Sequence, residues 1–320
     1  MIRCYVHRAG KTERADRLDP AWLAPGSGAV VWADLSQPGP DEAAILSDTF
    51  GFHELAVEDA LQAVQHPKVE HYADHLYIVL HGIDVQLAAH TIVTHDTDFF
   101  LGPTYLVTVH DGRRRSIAHV SEICERSGLV LAEGPVALLH RIVDTMVEHY
   151  RPEIEELEDR LDEIERRVLE GEASLTADLL AAKRDIAMLR RVLIPQRDVI
   201  ARLSRREFDL IDQEMAYRFR DVHDQLVRLT DDLILFQERV TGILDAHLAS
   251  VSNRLAQVSK MLAVIAALFG PLTVITGLYG MNIPLPDLPG SGTAEFWQVI
   301  GLMALASGGM LLWFRHAGLF

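Results

Sequence analysis

Two stretches near the end of the 320-residue chain carry no charge, Met261 to Pro286 and Phe296 to Phe314. Each is long enough to cross about 30 Å of hydrocarbon as an α-helix. No other feature limits the fold so tightly. The rest of the chain has the opposite character. The formal net charge is -16, yet the mean hydropathy is +0.10, so the apolar residues are concentrated. Beyond residue 260 the only charged residues are Asp287, Glu295 and Arg315, which leaves nearly all of the net charge in residues 1–260. The reading is an acidic soluble body on a C-terminal membrane hairpin. Such a body repels nucleic acid and disfavours docking on anionic lipid headgroups.

Orientation follows from the basic residues. Arg254 and Lys260 precede the first span, Arg315 follows the second, and the stretch from Asn282 to Glu295 has no Lys or Arg. The positive-inside rule predicts both termini in the cytoplasm and a short external loop. The N-terminal residues lack the apolar run of a secretory signal. Two cysteines, Cys4 and Cys124, give no disulfide framework and suit a reducing compartment.

Residues 1–134 read as a mixed α/β domain. Strand-like runs are Ala29–Trp32, His75–Leu80, Phe99–Phe100 and Tyr105–Val109; helical runs are Pro40–Phe50, Leu55–Val64 and Ser116–Ser127. Residues 135–260 read as helix. Ile154, Leu157, Leu161, Ile164 and Val168 recur at spacings of 3 and 4, an antiparallel contact or coiled-coil seam, broken near Gly171 and Ser174. The outer face of this helix is acidic, and Arg160, Arg166 and Arg167 lace it. It serves as a solvated face or as a loose screen for divalent cations. A third helix is predicted from about Asp209 into the membrane, because a single stripe runs from Leu226 through Leu233, Val240, Leu248 and Leu255 to Leu262. A helix that long needs partners along its seam. The transmembrane region is 261–320, with spans at about 261–282 and 296–314 and an external loop at 283–295. The fold class is α+β, with a stalk helix continuous with the first of two spans.

Within the first span, Ser259, Leu262, Ala266, Gly270, Thr273 and Gly277 share one helical face. Small residues at this spacing permit close helix packing, or they line a narrow pore. The span ends in Tyr279-Gly280-Met281-Asn282, followed by Ile283-Pro284. Here Pro271-Leu272-Thr273 with Gly277-Leu278-Tyr279-Gly280-Met281-Asn282 resembles the signature of the CorA family of magnesium channels. Glu58-Asp59-Ala60, His66-Pro67-Lys68-Val69-Glu70 and Tyr217-Arg218-Phe219-Arg220-Asp221-Val222 extend the resemblance over the whole chain.

The resemblance implies a funnel-shaped homopentamer in the cell inner membrane, with five first spans lining the pore. It implies Gly280, Met281 and Asn282 as a selectivity filter. Leu262, Ala266, Gly270, Thr273 and Gly277 would line the pore below it, Leu262 as a hydrophobic constriction. Mg2+ would be both transported and regulatory, moving inward down the membrane potential, with no organic cofactor. Asp221 would hold regulatory Mg2+ across a subunit interface, with Asp84, Asp96 and Asp98 as candidate partners that otherwise read as surface charges. A ring of neutral Asn282 amides suits Mg2+, which keeps its hydration water and is best held through it. Gly270 departs from the bulky residue of many relatives.

Two other functions are compatible with parts of this reading. A related branch moves Zn2+ on the same scaffold but commonly varies the residue at Met281. A membrane-anchored coiled-coil scaffold would not need the small-residue face. No P-loop and no nucleophile–base set is present, so an enzyme is not expected. The 15 histidines show no zinc-ligand spacing beyond His71 and His75.

Overall fold

The structure is a computed structural model that describes residues 2–62, 66–86, 91–112, 114–172, 174–281 and 292–316. The strands are β1 (Ile2–Arg8), β2 (Lys11–Ala15), β3 (Val30–Ser36), β4 (Lys68–His71), β5 (Leu76–Gln86), β6 (Thr91–Leu101) and β7 (Tyr105–His110). The helices are α1 (Pro40–Asp48), α2 (Glu54–Leu61), α3 (Arg115–Ser127), α4 (Leu129–Ala132), α5 (Pro135–Glu148), α6 (Tyr150–Leu169), α7 (Thr176–Ser204), α8 (Gln213–Tyr279) and α9 (Gly292–His316). Two compact units result, Met1–Ile243 and Leu244–Phe320.

The first unit is built on a seven-stranded sheet of order β2-β1-β3-β7-β6-β5-β4. Among the described residues, only the β3–β7 pairing is parallel. Alternation along the strands sends Ala33, Leu35, Val107 and Val109 to one face, where α1 and α2 close over them with Leu46, Phe52, Ala56 and Ala60. Helices α5 and α7 pack on the sheet as well. The four expected strands are present, and three more flank them.

Strand β2 is a charged edge, and charge on an edge discourages pairing with foreign chains. A two-residue turn joins it to β1. Ala9 (φ 48°) and Gly10 (φ 75°) both adopt the left-handed conformation that such a hairpin requires. The β5 and β6 strands outrun their apolar cores, Leu76–Leu80 and Phe99–Leu101, to form an 11-residue ladder.

Helix α6 buries the expected seam of Ile154, Leu157, Leu161, Ile164 and Val168. Its arginines form ion pairs with acids on and beyond the helix: Arg166 with Glu163 and Glu170, Arg167 with Glu172 and Asp178, and Arg160 with Asp185. From α8, Arg239 reaches Asp162 and Glu165. Helices α6 and α7 are also tied to the sheet through one residue. The His81 backbone N–H donates to Gln196 Oε1 at 2.8 Å, and its carbonyl accepts from the Tyr150 hydroxyl at 3.0 Å. Burial lowers the His81 imidazole to about 4, so it is neutral there.

Helix α8 starts four residues later than expected, because Asp212 caps it: Oδ1 accepts from the Met215 N–H at 2.8 Å. From Gln213 it then runs unbroken for 67 residues, through Pro271. Leu226, Leu229, Leu233, Phe236, Val240 and Ile243 are buried, but Leu248, Val251, Leu255, Val258 and Leu262 of the same stripe are each about half or more exposed. Among the described residues, two helices are long and apolar enough to cross a membrane, α8 and α9.

Candidate ion pathway

The span of α8 has two distinct sides. Val264, Ala267, Leu268, Pro271, Leu272 and Ile275 are half-buried, whereas Ser259, Leu262, Ala266, Gly270, Thr273 and Gly277 are all exposed. The small-residue face is therefore exposed, as are Ile265, Phe269, Val274 and Leu278 on other faces of the same span. A side chain at Gly270 or Gly277 would meet nothing within 4 Å, so packing within the chain demands glycine at neither position.

Two threonines give this segment its polarity. Thr273 Oγ1 donates to the Phe269 carbonyl at 2.9 Å, and Thr276 Oγ1 donates to Leu272 and Thr273 carbonyls at 2.9 and 3.1 Å. Each hydroxyl hydrogen is thus directed back into the helix, and the oxygen presents its remaining lone pairs outward. Such oxygens accept hydrogen bonds from the water shell of a cation.

The last turn is tighter. The Gly280 N–H donates to the Thr276 carbonyl at 2.9 Å and Met281 N–H to Leu278 at 3.3 Å. A Cβ at Gly280 would lie 2.9 Å from the Thr276 oxygen, a backbone atom that cannot swing aside, so glycine is required here. Met281 is half-exposed, and Asn282 and Asp287 lie outside the described residues.

The candidate carboxylates for a regulatory site separate. Asp221 is exposed on α8 and accepts from Gln225 Nε2 at 3.2 Å. Asp84 is on β5, with its side chain outside the described residues. Asp96 and Asp98 share one face of β6 and line a cavity of about 180 Å³ with Gln37, Gln62 and Asp111.

The expectation that Asp98 is a surface charge is corrected: it is 3% exposed. Its strand pairs with β5 and β7 on both sides, and the Tyr77 hydroxyl donates to Oδ1 at 2.5 Å. Burial pushes its carboxyl up to about 7, and neighbouring Asp96 adds to the rise against the opposing effects of Tyr77 and Lys68. Among the described residues, no group of three or more His, Cys, Asp or Glu converges to hold a metal within one chain. His71 lies in β4, while His75 is buried, stacked on Tyr72 and hydrogen-bonded to Asp74.

One polar cluster was not anticipated from sequence. Asp34, 1% exposed in β3, accepts from Thr108 Oγ1 at 2.8 Å and Arg3 Nη2 at 2.9 Å, and pairs with His110 Nε2 at 2.9 Å. Burial alone would raise the Asp34 carboxyl, but its bonds to His110 and Thr108 outweigh that and hold it low. The parallel β3–β7 register sets Asp34 opposite Thr108, a pairing that the sequence alone does not announce.

Residues 27–316 match the family described as CorA-like Mg2+ transporter protein. A putative metal ion transporter of Bacillus subtilis, YfjQ, is 33% identical over 96% of this chain and 93% of its own. The cobalt/magnesium transport protein CorA of Thermotoga maritima is 31% identical over 84% of this chain and 77% of its own. The zinc transport protein ZntB of Yersinia enterocolitica is 26% identical, covering 89% and 86% of the two chains. Among solved structures, the complete CorA magnesium transporter of Methanocaldococcus jannaschii matches with a TM-score of 0.86 at 22% identity, over 100% of this chain and 99% of that one, a likeness of fold.

Proposed function

Since the chain belongs to the CorA-like Mg2+ transporter family, whose members are membrane transporters of divalent metals and not enzymes, we propose that it is a homopentameric channel carrying Mg2+ inward down the membrane potential. The observation that carries this reading is the exposed small-residue face of the first span. Small residues and the outward oxygen of Thr273 lie on a side that its own chain leaves uncovered. Below it, the stripe Leu248, Val251, Leu255, Val258 is apolar and exposed. Neither face is stable in a single chain, and assembly about an axis buries the second while enclosing the first.

In this assembly Gly280, Met281 and Asn282 form the outer filter, and Asn282 amide oxygens hold the hydrated ion through its water. Thr273 and the backbone at Gly277 and Gly270 provide deeper oxygens, and Leu262 narrows the inner end. Both termini are cytoplasmic. Residues 1–134 and 135–260 form the internal body and stalk, and 261–320 the transmembrane domain. Cytoplasmic Mg2+ gates the channel from Asp221, an exposed acid of the stalk, with its partner on a neighbouring copy. Asp84, Asp96 and Asp98 are the candidate partners, of which Asp98 accepts a hydrogen bond from Tyr77. Bound Mg2+ would neutralise facing carboxylates and favour the closed ring, and its loss would release them.

Zinc transport on the same scaffold is the second reading, supported by the similarity to a protein named for zinc transport. Reconstitution in liposomes separates the two. Mg2+ and Zn2+ entry are followed separately under inside-negative potential, with Asn282→Ala beside the parent. Voltage-driven Mg2+ entry lost in the variant is the expected outcome. Zn2+ entry without Mg2+ entry establishes the second reading, and entry of neither ion overturns both.

A further inference from the structure

The edge of the sheet at β1 and β2 carries charge opposite to that of the molecule. Residues 1–17 hold five basic residues, Arg3, Arg8, Lys11, Arg14 and Arg17, against Glu13 and Asp16, in a chain of net charge -16. Three consecutive arginines, Arg113 to Arg115, lead into α3. The fold brings the two segments together, because α3 packs beside β2. There a cavity of about 450 Å³ is lined by Arg3 of β1, Arg14 of β2 and Arg114 at the start of α3.

Each of these guanidinium groups is held by a carboxylate. Arg3 donates to Asp34 at 2.9 Å, and Asp34 is itself buried and fixed by Thr108 and His110. Arg14 Nη1 donates to Glu125 Oε1 at 3.1 Å, and the same oxygen accepts from the Tyr5 hydroxyl at 3.0 Å. Arg114, 7% exposed, pairs with Asp111. A guanidinium has five N–H donors, so such a contact fixes it without exhausting it. Charge that only guards a sheet edge needs no partner on a helix.

Helix α3 adds to the positive potential. It has no acidic residue in its first turn, and Arg114 and Ala118 bring that end to the cavity. Glu122 and Glu125 also line it. Glu125 is offset by Arg14, and Glu122 pairs with Arg126 at 3.3 Å.

We infer that this cavity binds a water-soluble phosphomonoester. Three guanidinium groups suit the three terminal oxygens of a phosphate better than the two of a carboxylate. The volume is that of a small-molecule site, with room beyond the phosphate for a sugar whose hydroxyls donate to Glu122. The acidic body repels a polyanion or an anionic membrane surface, which leaves a small ligand of low charge. The buried Asp34 network, which the ion pathway does not use, positions Arg3 for it.

The test is isothermal titration calorimetry on the full-length protein in nanodiscs of neutral lipid, at fixed Mg2+. The probes are ribose 5-phosphate and inorganic phosphate. Ribose 5-phosphate is expected to bind at one site per chain, more tightly than inorganic phosphate. Arg14→Gln, at an exposed position, weakens it about tenfold or more. Ala118→Leu fills the cavity without changing its charge and weakens it likewise. Lys11→Gln, on the same strand and outside the cavity, leaves it unchanged.

Binding of neither probe overturns the inference, as does equal loss in Lys11→Gln, or binding that Arg14→Gln and Ala118→Leu both spare. Displacement of ribose 5-phosphate by an equimolar amount of dihexanoyl phosphatidic acid overturns the assignment to a water-soluble ligand. None of these readouts measures flux, so the inference and the channel reading fail separately.

Discussion

At the scale of single residues, the sharpest consequence is a titration. Asp98 has its carboxyl raised to about 7 in the folded protein, against an ordinary value of 3.8. An unfolded chain gives up that proton first. Between about pH 4 and 7 the folded state therefore binds more protons, and its stability falls as pH rises through that window. Asp98→Asn keeps the Tyr77 hydrogen bond without the charge. Its thermal midpoint is expected to exceed the parent's at pH 8, by the equivalent of about 1–3 kcal/mol, with little difference at pH 4. Equal pH profiles for parent and variant would refute this account.

Gly280→Ala belongs to the same scale. The added methyl meets the Thr276 oxygen, so the last turn must open, and flux should fall while the oligomer persists on size-exclusion chromatography. Thr273→Val, which keeps the shape and removes one oxygen per subunit, should reduce Mg2+ flux by about fivefold or more in the same vesicles.

Elements were legible in proportion to their apolar periodicity. The α6 seam and the α8 stripe follow directly from residues spaced 3 and 4 apart, and both helices form where that spacing predicts. Strands β1, β2 and β4 mix charged and apolar residues, so alternation is masked, and only tertiary pairing reveals them. Asp98 was misplaced for a related reason. An acidic residue next to Phe99 and Phe100 reads as the end of a strand, whereas β6 continues ten residues from Thr91 before Leu101 closes it. The exposed half of the α8 stripe carries its own prediction. Leu255→Asp, on the surface left uncovered in the single chain, should shift the solubilised protein from a large oligomer to smaller species by multi-angle light scattering. An unchanged mass would mean that this stripe is not the seam of assembly.

For the molecule as a whole, charge dominates. A net -16 confined almost entirely to residues 1–260 means that any ring of copies brings acidic bodies together. Divalent cations should therefore stabilise the assembled protein. Chelating Mg2+ at low ionic strength is expected to lower its thermal midpoint, and Asp221→Asn to reduce that dependence. If 0.3 M NaCl replaces Mg2+ completely, the effect is diffuse screening and not a bound ion. The candidate pathway was legible only where helical spacing places residues. The network around Asp34 was not, because its members are joined by strand order and not by sequence distance.

The threonine hydroxyls of the first span carry a last consequence. A relay for protons needs groups that can both donate and accept, passing the hydrogen along by reorientation. With their hydrogens tied to carbonyls one turn back, Thr273 and Thr276 can only accept. In the proposed pore these two side chains would interrupt a Grotthuss wire while still accepting from the water shell of a hydrated metal. A pathway so lined favours electrical over chemical coupling: ion entry should track voltage and stay indifferent to a pH gradient imposed across the same vesicles.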